Sequence, residues 1–302
     1  MTRARARRAA WLAVAMLAAA PPAGAERFWP RRPQPAAPAI EARSEAEPAR
    51  TGGDPVRLQV QRRGGAQEII ADNAAAGPMQ VRLALASADN ARPVPALPAT
   101  AVVATGQQRV LARVYALDPR QPPAFDVRLE QVPGDPGARP HDVRYGLPFG
   151  QAPVRVDQGF GGRFSHADPS NFYAVDFALP EGTPVLAARD GVVMQVHSDF
   201  EQGGQDREHD SGAANYVRIL HDDGSMALYG HLQAGGVAVR VGEQVRQGQR
   251  IGHSGNTGFS TAPHLHFVVQ ANRGMRLEAI PFRMFSAQGE LKFAREDAAG
   301  PR

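Results

Sequence analysis

The sequence predicts an all-β protein: a small N-terminal β-sandwich followed by a C-terminal β domain that carries the chemistry. Short runs alternating apolar and polar residues recur from Pro55 onward, the period of half-buried strands. Gly, Asn, Asp and Pro separate these runs at turn spacing. Between Tyr145 and Met284 no segment shows the 3.6-residue apolar period of an amphipathic helix.

The first 25 residues read as an export signal. Arg3, Arg5, Arg7 and Arg8 precede an apolar stretch from Ala9 to Ala20, and Ala23-Gly24-Ala25 supplies a small-x-small cleavage site. The stretch is shorter than the ~20 apolar residues that a membrane-spanning helix needs. No later stretch qualifies, so no integral membrane segment is expected once the signal is removed. The chain has no cysteine, hence neither disulfides nor a lipid-anchor thiol. Of 34 basic residues four leave with the signal, and 30 then face 30 acidic ones. That balance gives no global electrostatic case for nucleic-acid binding.

Residues 26–54, rich in Pro, Ala and Arg without apolar period, read as a linker. Residues 55–131 carry the alternating runs Val56 to Val60, Met79 to Leu85, Ala101 to Val103 and Val110 to Val114. They suggest a β-sandwich, and because the segment has no histidine or catalytic cluster, it reads as a spacer or docking module. A second linker spans 132–144, around Val132-Pro133-Gly134-Asp135-Pro136-Gly137. The C-terminal domain spans 145–285, and 286–302 reads as a tail. Within that domain, Tyr216 to His221 turns through Asp222-Asp223-Gly224 into Met226 to Leu232, a hairpin. Val239, Val241, Val245 and Ile251 among glycines read as another. A long polar loop separates Val196 from Asn215, a length that is usually functional or mobile.

The richest segment is His264-Leu265-His266, which opens a strand after a Gly/Asn/Thr/Pro turn. Alternation puts His264, His266 and Val268 on one face, and Leu265, Phe267 and Val269 on the other, toward a core. Two imidazoles side by side can serve one metal ion or one reacting group. Asp176 sits between Val175 and Phe177 on another strand, where a carboxylate costs desolvation unless paired or metal-bound. His231 ends the hairpin, and His166 lies in the Gly-rich loop Gly161-Gly162-Arg163-Phe164-Ser165-His166.

Taken in order, these segments resemble the lysostaphin/LytM-type zinc endopeptidases. The resemblance covers about Gln158 to Gln270. It rests on Gln158-Gly159-Phe160-Gly161-Gly162, Ser165-His166, Tyr173-Ala174-Val175-Asp176-Phe177, Tyr229-Gly230-His231-Leu232, Gly255-Asn256-Thr257-Gly258 and His264-Leu265-His266. It implies an antiparallel β-sheet peptidase domain with an open groove, one zinc ion per chain, and hydrolysis of peptidoglycan stem peptides or cross-bridges. By position the zinc ligands fall on His166, Asp176 and His266, and two non-ligand catalytic histidines on His231 and His264. Such a set fits a catalytic zinc, which takes three protein ligands and leaves one place for water. Of the two catalytic histidines, His264 is favoured as base and His231 as stabiliser of the tetrahedral intermediate; the division is not readable from the residues.

One position departs from the pattern. The short form of the first motif has a histidine four residues before the aspartate, where this chain has Phe172. His166 stands ten before it and matches the longer-loop variant; His209, in the polar loop, is the competitor. Two other classes remain to be weighed. Relatives that have lost ligands bind and regulate other wall hydrolases, but here every expected position has a candidate. A biotinyl- or lipoyl-type carrier needs a lysine at a hairpin tip, and the only lysine is Lys292. The expected location is outside the cytoplasm, in the periplasm of a Gram-negative cell.

Overall fold

The computed structural model describes residues 54–150, 153–206, 210 and 212–293. The export signal and nearly all of the 26–54 segment lie outside the described residues. Every element named below is a strand, in keeping with the all-β expectation. Among the described residues no helix is long and apolar enough to cross a membrane.

The first region is a sandwich of two antiparallel sheets. One holds β1 (Val56–Arg63), β2 (Ala66–Asn73), β6 (Gln108–Ala116) and β4 (Ala91–Val94) in the order β1-β2-β6-β4. The other holds β5 (Ala99–Val103), β3 (Met79–Asp89) and β7 (Ala124–Pro133) in the order β5-β3-β7. Gly64 and Gly65, with φ of 56° and 80°, form the two-residue turn that joins β1 to β2. Both positions need the left-handed conformation that suits the twist of a tight hairpin. Ile69, Ala71, Met79, Val81, Leu83, Val103 and Val114 fill the space between the sheets. Strand β2 is buried along almost its whole length, which removes the alternation that would announce it in the sequence. Strand β7 runs through Val132 and Pro133, two residues into the segment read as a linker.

The second region is built on an eight-stranded antiparallel sheet. Its strands are β9 (Val156–Gln158), β10 (Val175–Ala178), β12 (Gly191–His197), β14 (Tyr216–Leu220), β15 (Met226–Gly230), β17 (Gln244–Val245), β20 (His264–Asn272) and β21 (Leu277–Ala279). The order is β17-β12-β14-β15-β20-β10-β9, with β21 also pairing β20. A three-stranded sheet of β11 (Pro184–Leu186), β18 (Arg250–Ser254) and β16 (Leu232–Val237) packs against it. Val175, Phe177, Val217, Ile219, Tyr229, Leu265, Phe267 and Val269 make the core between them. The 222–224 turn forms the expected hairpin of β14 and β15. The second expected hairpin does not form: β17 joins β12, whereas β18 joins β11 and β16. Short runs such as Gln244-Val245 leave local pairing too weak to outweigh burial in two different sheets.

Two smaller sheets finish the region. β8 (Arg144–Gly146), β22 (Arg283–Ser286) and β23 (Gly289–Leu291) associate, and Phe293 packs on Phe160, Phe177 and Phe282. Part of the segment read as a tail is therefore structured as far as Phe293. Within the long polar loop, β13 (Gly203–Gly204) pairs in parallel with β19 (Gly258–Phe259).

The sandwich rests on the sheet. Met194 and Met226, both wholly buried, project from β12 and β15 into the sandwich core. Burying one such side chain contributes roughly 1.5–3 kcal/mol. The approach is close: a Cβ at Gly134 would lie 2.7 Å from Met226 Cε, and one at Gly77 2.8 Å from Met194 Sδ. Asn272 Nδ2 donates to Gly134 O at 3.0 Å, and Met275 N to Gln80 Oε1 at 2.7 Å.

Candidate metal centre

Strand register brings the first two groups together. Asp176 on β10 lies directly across from His266 on β20, and both point away from the core formed by Phe177, Leu265 and Phe267. His266 Nδ1 is 2.9 Å from Asp176 Oδ1. His166 arrives from the glycine-rich loop, with Nε2 3.2 Å from the same oxygen. The loop can reach inward because Gly162 has no side chain: a Cβ there would meet Gln158 Cγ at 2.2 Å. Gln158 in turn donates from Nε2 to Asp176 Oδ2 at 3.2 Å and to Ser165 Oγ at 2.7 Å. The ligand atoms of His166, Asp176 and His266 all lie within 4.8 Å of one another, and all three residues are buried.

The outer nitrogens settle what the inner ones can do. His166 Nδ1 donates to Gly159 O at 2.9 Å, so its neutral form carries a lone pair on Nε2. His266 Nε2 donates to Asn171 Oδ1 at 3.1 Å, which leaves the lone pair on Nδ1. Two imidazole lone pairs and a carboxylate oxygen then face one another with no donor between them. Acceptors gathered this way require a shared proton or a cation, and fixing the outer N–H is how metal-binding histidines are oriented. The donor set, two nitrogens and one oxygen, fits a divalent cation of zinc's preferences. The ionisation of the groups follows the same logic. Burial pushes the Asp176 pKa up, but His166 and His266, which can donate to it once a proton is shared among the three, outweigh this and hold the carboxyl well below its usual range. Burial lowers that of His166, yet Asp176 overrides it and the net direction is upward.

His231 and His264 stand beside this cluster with ring centroids 4.5 Å apart. His231 Nδ1 donates to Thr257 O at 2.6 Å, and His264 Nδ1 to Ala262 O at 2.7 Å. Each therefore presents Nε2 to the groove. His264 Nε2 is 3.9 Å from Asp176 Oδ1. Burial, reinforced by His264 and His266, pushes the His231 imidazole down to about 3. The His231 backbone is left-handed, with φ of 59°, a conformation an L-residue holds only where its surroundings impose it. Asn215 and Thr257 impose it: Asn215 N donates to Thr257 Oγ1 at 3.0 Å, and Thr257 Oγ1 donates to Leu232 O at 2.8 Å.

Asp176, His231, His264 and His266 line a groove of about 710 Å³. All five residues singled out in the sequence come together, since His166, fully buried, reaches the groove through Asp176. His209 lies outside the described residues. His197 stacks on Phe200 and pairs with Asp199, and His221 donates to Asp190 O, both away from the groove. Sequence reasoning missed Asn171 as the partner of His266 and Gln158 as the partner of Asp176. Asn171 could have been sought as a polar residue five positions before Asp176, whereas Gln158, 18 positions before it, is brought there only by the pairing of β9 with β10.

A groove on an antiparallel sheet with a buried His-Asp-His cluster and two further histidines has the donor set that a metallopeptidase site requires. Residues 170–277 match the profile of peptidase family M23. Asp176, His231, His264 and His266 fall within the match, and His166 lies just ahead of it. The chain is 46% identical over 92 residues to the peptidoglycan DD-endopeptidase ShyA of Vibrio cholerae, covering 30% of this chain and 18% of that one. It is 32% identical over 133 residues to lysostaphin of Staphylococcus simulans, covering 44% of this chain and 22% of that one. The chain thus spans about a fifth of the length of these relatives. Among solved structures, the catalytic domain of lysostaphin from Staphylococcus simulans is similar at 33% identity, with 39% of this chain and 81% of that one covered and a TM-score of 0.31.

Proposed function

We propose that this protein is an exported, zinc-dependent endopeptidase that hydrolyses peptide cross-links of peptidoglycan. The observation that carries the reading is the convergence of His166, Asp176 and His266, acceptor facing acceptor, at a groove that His231 and His264 also line. The DD-endopeptidase and lysostaphin relatives support the substrate class. His166 Nε2, Asp176 Oδ1 and His266 Nδ1 would hold one zinc ion. When bound, that ion would polarise a scissile carbonyl and acidify water toward neutral pH.

The chain's own groups then divide the remaining work. His264, with Nδ1–H committed to Ala262 O, offers Nε2 to take a proton from the attacking water. His231 is held neutral by burial and is a poor base. Its Nε2 becomes a donor only as imidazolium, a charge that a developing oxyanion beside it would stabilise. The complete set of five leaves nothing in favour of a non-catalytic, binding-only relative. We also read residues 55–131 and 145–285 as separate domains, with the sandwich positioning or restraining the peptidase. Export to the periplasm rests on the N-terminal 25 residues. On that reading the D-alanyl–diaminopimelate cross-link is the favoured bond. Mass spectrometry of fragments released from defined sacculi tests this: a new free D-alanine carboxylate and a free diaminopimelate amine are expected. Release of glycan fragments alone would contradict the reading.

A further inference from the structure

Strands β14, β15 and β20 lay three rows across the groove face. Tyr216, Gly230 and His266 form the first; Arg218, Leu228 and Val268 the second; Leu220, Met226 and Gln270 the third. Successive rows are two residues apart, about 7 Å along a strand. The third row lies against the sandwich, whose core takes in Met226 and touches Leu220. Arg218 and Leu228 line the groove beside that covered row. The second row is therefore where the groove meets the sandwich.

Arg218 is an unusual occupant for that place. It is only 8% exposed. Its Nη1 donates to Gln270 Oε1 at 2.6 Å, and its Nε has no hydrogen-bond partner among the described residues. No carboxylate among the described residues forms an ion pair with it, whereas Arg189, also largely buried, is paired with Asp222 and Asp223. Gln270 is itself anchored, since its Nε2 donates to Ser170 O at 2.8 Å. The guanidinium is thus held in place, desolvated, and lacking a counter-charge. A buried cation is costly until an anion joins it, and burial lowers the Arg218 pKa accordingly.

We propose that Arg218 binds a free carboxylate of the substrate peptide where the groove meets the sandwich, about two residues from the bond that is cut, and so selects the substrate. The planar fork of donors suits a carboxylate, which accepts two parallel N–H bonds. The 7 Å between rows equals about two residues of extended peptide. This rests on the peptidoglycan reading, in which two carboxylates qualify: the terminal one of a stem peptide and the one borne by diaminopimelate.

The test uses the full, zinc-loaded chain and three synthetic cross-linked stem peptides: unmodified, amidated at the terminal carboxylate, and amidated at diaminopimelate. Amidating the recognised carboxylate should raise KM about 10- to 100-fold, the effect of losing one charge-assisted pair, with kcat little changed. That comparison needs no variant, and the peptide affected names the carboxylate. Arg218→Met should raise KM for the unmodified peptide by the same factor and erase the distinction; Arg218→Gln replaces it should the first variant not fold. Equal KM for all three peptides in the wild type overturns the proposal, as does a variant that retains the distinction. Chelator-sensitive cleavage of any of the three sustains the peptidoglycan reading whatever Arg218 does. Should none be cleaved, that reading fails, and calorimetric titration of the acid and amide peptides into wild type and Arg218→Met still decides the role of Arg218.

Discussion

Asn73 in the sandwich and Asp176 in the groove are both buried polar side chains on strands, and their surroundings are opposites. Asn73 donates from Nδ2 to Gly77 O and Val103 O, and its Oδ1 accepts from Ala75 N. Donors there match acceptors, and the result is a braced turn. Asp176 accepts from Gln158 Nε2 on one oxygen, while the other faces two imidazole nitrogens whose outer N–H groups are already committed. Burial alone does not distinguish a brace from a reacting centre. The mismatch of donors and acceptors does.

The largest effects should come from breaking the mismatched cluster. His166→Ala, Asp176→Ala and His266→Ala are each expected to lose the metal and to lower hydrolysis by at least about a thousandfold, read by metal analysis and turnover. His264→Ala and His231→Ala should keep the metal and lose roughly 10²–10⁴ in kcat. His209→Ala should alter at most substrate affinity; loss of metal in that variant, with metal retained in His166→Ala, would reverse the assignment. On the matched side, Asn73→Ala leaves several buried carbonyl and amide groups unpaired. It should cost about 3 kcal/mol in chemical denaturation while metal content stays at one per chain. Metal loss there would show that the two regions are not independent in this respect.

The site was legible in sequence because its chemistry is carried by rare residues at strand spacing. His264-Leu265-His266 declares its two faces by alternation, and Asp176 stands out between apolar neighbours. Strand β2 was not legible, since both its faces are covered and Ile69-Ile70 shows no period of two. The pairing of β17 and β18 with separate sheets was equally hidden, because the two residues of β17, at a sheet edge, carry no mark of their partner. Arg218 could be read only as one polar residue on an alternating strand. Its isolation from carboxylates is a property of three strands in register, and no local pattern encodes that.

Smaller effects sharpen the contrast further. His221 is buried and donates to Asp190 O, and burial holds its pKa down at about 4. The unfolded chain takes up this proton near pH 6.5, so the stability contribution is complete above that pH and is lost as pH falls toward 4. The loss amounts to on the order of 3 kcal/mol. Denaturant midpoints between pH 7 and 4 should fall less steeply in His221→Asn, which keeps a donor toward Asp190; an unchanged slope would count against this assignment. Smallest is the effect of Asn171→Ala, which frees the outer nitrogen of His266. Metal affinity should weaken about 10- to 100-fold in a competition titration, with little change in turnover at saturating metal.

Hydrolysis is proposed to depend on a metal centre formed by His166, Asp176 and His266. The direct measurement is hydrolysis of purified peptidoglycan by protein stripped of metal with a chelator and then titrated with zinc. Activity should be absent in the stripped protein and return in proportion to zinc, saturating at about one ion per chain. Undiminished hydrolysis by protein shown to be metal-free would contradict it.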